Sequence, residues 1–109
     1  MGLYLSRTRY SEQAFKGMIA RPEDRTAAMK ALFDGAGMKL LHAWFCPQTC
    51  EAIMITEGDL VPGATAVIAG MASGGITDSS TIELMTMQQL FEAMKGAAAV
   101  AAKYRVPGK

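Results

Sequence analysis

The segment from Met38 to Cys46 most constrains what this chain can fold into, because it reads as a strand that is apolar on both faces. Leu40, His42, Trp44 and Cys46 fall on one side, and Leu41, Ala43 and Phe45 on the other. Side chains alternate across a strand with a period of two, so neither side of this one is suited to water. Pro47-Gln48-Thr49 follows as a turn. Cys50 to Glu57 then supplies a second strand, and the two together predict a hairpin.

The flanking segments supply the rest of a sheet and the helices over it. Leu3 to Tyr10 alternates, with Leu3 and Leu5 on one face and Tyr4, Ser6, Thr8 and Tyr10 on the other, which predicts the first strand. Ser11 is a helix N-cap, and Phe15, Met18 and Ile19 share a helical face behind it. Arg21-Pro22 interrupts that helix. A second helix is expected from near Pro22, with Glu23 and Asp24 at its positive end and an apolar stripe of Met29, Leu32, Phe33 and Ala36. Gly35 and Gly37 stop it. Asp59 opens a third helix carrying Leu60, Ala64, Val67, Ile68 and Met71, which ends at Gly74-Gly75. Thr77 to Met85 reads as the last strand. Thr86-Met87-Gln88-Gln89 fits a capping box, and Leu90, Phe91 and Met94 mark a final helix running to about Lys103.

The order strand, helix pair, strand, strand, helix, strand, helix predicts an α+β fold. It is a ferredoxin-like βαββαβ sandwich with an additional C-terminal helix, in a single domain over residues 1–109. Helices on one face leave the other sheet face open, and an open apolar face of this size marks an interface. Self-association as a dimeric α+β barrel type of assembly is the expected remedy. Composition agrees: half of the 109 residues are hydrophobic and only 19% are charged. A net charge of +1, without a long Lys/Arg run, argues against nucleic acid as a partner. No apolar run approaches the roughly 20 residues of a membrane span, and no secretory leader is expected. Two cysteines are too few for a disulfide framework, so a cytoplasmic protein is expected.

Several segments together resemble the GYD-domain family. Leu3-Tyr4 with Arg9-Tyr10 resembles its opening strand, and Arg21-Pro22-Glu23-Asp24-Arg25 its Pro-Glu-Asp-Arg helix start. Gly37-Met38-Lys39-Leu40-Leu41 resembles the Gly-Gly-Lys-Leu start of its second strand, with Ala72-Ser73-Gly74-Gly75 and Leu84-Met85-Thr86 in matching places. The resemblance implies a small ferredoxin-like, oligomeric protein related to dimeric α+β barrels. The Gly-x-Tyr-Asp-like signature of the family reads Gln48-Thr49-Cys50-Glu51 here, which keeps only the acidic position.

Candidate chemistry gathers around the hairpin. Around a three-residue turn Cys46 and Cys50 would face each other, with Cβ atoms roughly 4.5–5.5 Å apart. They are candidate thiol nucleophiles, with Glu51 beside them for proton transfer, or small apolar residues closing a hairpin. In an alternative reading they form a soft copper or zinc pair or a thiol-redox switch. His42 is the only histidine and reads either as a ligand contact or as a half-buried packing residue. Tyr4, Tyr10, His42 and Trp44 are candidate walls of a small-molecule pocket beside the second and third strands, and equally candidates for core and interface. Met18, Met29, Met71, Met87 and Met94 fit helical stripes, which leaves Met38 and Met54 nearest the cysteines. No motif names a cofactor. The expected function is a small-molecule-binding homo-oligomer, with enzymatic acid/base or thiol chemistry as its narrower form.

Overall fold

The computed structural model describes residues 1–109. In chain order the elements are β1 (Gly2–Tyr10), α1 (Glu12–Ala20), α2 (Thr26–Ala36), β2 (Lys39–Cys46), β3 (Glu51–Gly58), α3 (Leu60–Ala72), β4 (Ile76–Leu84) and α4 (Met87–Ala101). The strands form one antiparallel sheet in the order β2-β3-β1-β4. This is the ferredoxin-like α+β arrangement that the element order predicts. No helix is long and apolar enough to cross a membrane.

Strand β3 shows how the sheet is oriented. Ala52, Met54, Thr56 and Gly58 are buried on the helix side, and the residues between them are half-buried on the other. Register then carries Tyr4, Ser6 and Thr8 of β1 to the helix side, opposite Thr56, Met54 and Ala52. Phe33, Met38, Met54 and Ala66 form the core there, with α2 and α3 packed above the sheet. Only 11 of the 109 residues are buried, so this interior is small for the length of chain that surrounds it.

Local capping follows the sequence. The Ser11 hydroxyl accepts from the Ala14 N–H at 3.0 Å. Thr86 and Gln89 exchange both bonds of a capping box at 2.8 and 3.0 Å. Gly37 ends α2 with φ of 86°, a left-handed conformation that costs glycine nothing.

Two details differ from expectation. Helix α2 begins at Thr26 and not near Pro22. Arg21 sits before a proline, which disfavours helical backbone, so the chain stays irregular through Arg25. The Asp24 carboxylate accepts from the Thr26 N–H at 2.9 Å and starts the helix there. The second difference is a register shift in β2 between Leu40 and His42. It places Leu40 with Ala43 on the helix side, against the core, and separates it from His42, Trp44 and Cys46.

Helix α4 lies apart from this body. None of its residues is buried. The chain measures 62 × 31 × 22 Å, and its radius of gyration is 18.4 Å. A compact chain of this length has a radius of about 13 Å.

Candidate functional site: a cavity between sheet and helices

A row of small side chains crosses the middle of the sheet on its helix side. Thr8 of β1 lies between Ala52 of β3 and Ser79 of β4. Above this row, α1 contributes Ala14 and Gly17, and α3 contributes Ala66, Ala69 and Gly70. Small residues on facing layers leave space that no side chain fills. The result is a cavity of about 620 Å³. Met18, Met29, Leu32 and Phe33 supply its apolar walls, and Arg21, Glu23 and Arg25 of the linker between α1 and α2 stand at its mouth. At Gly17 an added Cβ would meet nothing within 4 Å, so that wall is thin by sequence and not by crowding. Gly70 is the opposite case: a Cβ there would come within 2.9 Å of Ile76, so the glycine lets α3 close on β4.

The polar groups of the cavity are unevenly satisfied. Ser6 and Thr81 share a hydroxyl–hydroxyl bond of 3.0 Å. Thr8 is 5% exposed and makes no side-chain hydrogen bond, and neither does Ser79 opposite it. The Glu23 carboxylate accepts from Arg25 at 2.8 Å. Glu23, with the Tyr10 phenol adding to it, holds the Arg25 guanidinium above its ordinary pKa, against the opposing effect of burial. Arg21 has no ion-pair partner. Tyr10 is held edge-on to Phe15, with ring centroids 5.7 Å apart. A neighbouring hollow of about 260 Å³ holds Tyr4, Met38 and Thr56, and Ser6, Phe33 and Val67 border both spaces.

The seven residues singled out from sequence do not meet in one place. Tyr10 borders the large cavity and Tyr4 the smaller one. His42, Trp44, Cys46 and Glu51 lie on the open face, on the far side of the sheet. There the His42 and Trp44 rings stack at 4.8 Å and 8°, and Arg7 donates to Glu51 at 2.8 Å. The expected facing of the two cysteines does not occur. Cys46 pairs in register with Glu51, because the turn takes four residues, Pro47 to Cys50. Cys50 sits in that turn at φ of 55°. Both thiols are free; Cys46 donates toward Gln48 Oε1 and Cys50 toward the Pro47 carbonyl, each at 3.7 Å.

The Thr49 hydroxyl sits in this turn beside Cys46 and Glu51. It is shielded from solvent and has no well-formed hydrogen bond. Its nearness, with its backbone N–H, lowers the pKa of the Cys46 thiol. It also lowers that of Glu51, where Arg7 adds to the effect. One hydroxyl proton can serve only one of the two anions at a time. No three metal-ligating side chains converge anywhere in the chain.

The model of the GYD domain matches residues 4–94. The chain belongs to the GYD-domain family. A comparison with curated proteins finds no match. The GYD match runs from β1 into the first half of α4, so it contains every element that builds the cavity. It also contains Gln48-Thr49-Cys50-Glu51, the segment at which this GYD chain departs from the family signature. Thr8, Gly17, Arg21 and Arg25 are cavity residues that sequence reasoning did not single out as a site. One signal was present: Ser6 and Thr8 share a strand face with Tyr4 and Tyr10, where a purely structural strand would carry large apolar residues.

Proposed function

We propose that this GYD-domain protein binds a small organic molecule in the cavity between its sheet and its helices, and that it works as a homo-oligomer. The cavity itself carries the reading. Its volume of about 620 Å³ lies in the range of small-molecule sites, and it opens to solvent at the mouth that Arg21, Glu23 and Arg25 border. Water suits the hydroxyl floor but not Met18, Met29, Leu32 and Phe33, so an apolar body gains by displacing it. Tyr10 and Glu23 are the groups at this site able to move a proton, should the bound molecule react.

Self-association accounts for the other side of the sheet. Leu3, Leu5, Ile53 and Ile55 lie on the open face, flanked by Trp44 and Ile82, each 58% exposed. Four strands about 4.8 Å apart and eight residues long give a flat face of roughly 500 Å². A stable interface takes about 800 Å² from each partner. The stripe of Met87, Leu90, Phe91 and Met94 on α4 is a further uncovered apolar surface, and it supplies the difference. A cytoplasmic setting suits the two free thiols.

Titration of the full chain with N-phenyl-1-naphthylamine, a neutral apolar fluorophore, tests the cavity. Saturable binding to the wild type, abolished by Gly17→Leu, supports it; binding that the variant leaves unchanged removes it. A second reading, a thiol-redox or soft-metal module at Cys46 and Cys50, draws on the lowered pKa of Cys46. Absence of copper(I) or zinc binding under reducing conditions would sink its metal form.

A further inference from the structure

We infer that the cavity takes a largely apolar organic acid, whose anionic group is held at the mouth by Arg21 together with Arg25. This rests on the cavity being the ligand site. Three guanidinium and carboxylate groups meet at the mouth, and their charges do not cancel. Glu23 is matched to Arg25 at 2.8 Å, while Arg21 has no acidic partner. One positive charge is therefore left over at the rim of an otherwise apolar space. A guanidinium pairs with a carboxylate or sulfonate through charge-assisted bonds, and it recognises a neutral molecule far less well.

The interior limits the rest of the ligand. Met18 and Met29 are adaptable and Leu32 and Phe33 are rigid, so the body is apolar and accepts some variation in shape. At the floor, Thr8 and, across the strands from it, the half-buried Ser79 line the cavity with hydroxyls that make no hydrogen bond to the chain. Both are open to the cavity, so this pair is placed to meet an oxygen or N–H on the body of the ligand. No second carboxylate borders the cavity besides Glu23, so nothing there repels a single negative charge.

Two fluorophores with one ring body separate head from body: 8-anilinonaphthalene-1-sulfonate and N-phenyl-1-naphthylamine, which lacks the sulfonate. The wild type should bind the anion about tenfold more tightly than the neutral probe. Arg21→Gln should remove most of that preference and leave the neutral probe within about twofold, while Arg21→Lys should retain part of it. Raising the salt concentration should weaken only the anion. Equal binding of both probes, unaffected by Arg21→Gln, would overturn the acid preference and leave the cavity reading standing. If neither probe binds, or if Gly17→Leu leaves both unchanged, the cavity reading falls and this inference falls with it.

Discussion

Replacing Trp44 by alanine should loosen the assembly far more than it loosens the fold. Trp44 is 58% exposed on the open face, stacked on His42. A tryptophan presents up to ~250 Å², so roughly 140 Å² of each copy awaits cover. At ~25 cal/mol per Å² that is about 3.5 kcal/mol for each copy, an upper figure. Interfaces return less than their area suggests, and about 2 kcal/mol is a reasonable yield for a large aromatic residue. A symmetric pair counts the substitution twice, giving about 4 kcal/mol, or nearly a thousandfold in the dissociation constant. Sedimentation equilibrium over a range of concentrations reads that constant directly. The urea midpoint of the dissociated chain should move little, because the exposed part of the ring stabilises nothing within one copy. An unchanged dissociation constant would show that the sheet face is not where copies meet.

Other substitutions test separate parts of the account. Phe33→Ala removes a core ring that borders both hollows and should cost about 3 kcal/mol in urea unfolding. Cys46 should be alkylated by iodoacetamide faster than Cys50 near neutral pH, since its pKa lies below the ordinary thiol value. Thr49→Val should slow that reaction, as read by peptide mass mapping. Glu51 has a depressed folded-state pKa, from Thr49 first and Arg7 second. Its contribution is therefore present above the ordinary carboxylate value and is lost as pH falls through the folded value, from about pH 5 downward. Arg7→Gln should shrink that acid-side loss of stability, measured as the urea midpoint against pH.

The features legible in the sequence were those set by a few adjacent residues. Ser11 and Thr86 cap their helices because a short side chain reaches a backbone N–H three residues on. Strand faces were legible where alternation is unbroken, as from Tyr4 to Tyr10. They failed at Leu40, where one inserted residue changes sides and no local composition announces it. The distance between Cys46 and Cys50 failed for a related reason. Whether a turn holds three residues or four depends on where pairing stops, and Glu51 claims the partner position. The cavity was least legible, because it depends on three strands bringing Ala52, Thr8 and Ser79 into one row beneath two helices. Tyr10 was singled out for its chemistry and proved to stand at that cavity, whereas Trp44 and Glu51 stand on the opposite face.

Native mass spectrometry of the intact protein with N-phenyl-1-naphthylamine reads subunit number and bound molecules in one spectrum. The account predicts a multimer carrying one probe per chain, and a probe-free multimer for Gly17→Leu. A monomer, or a multimer that takes up no probe, would contradict it.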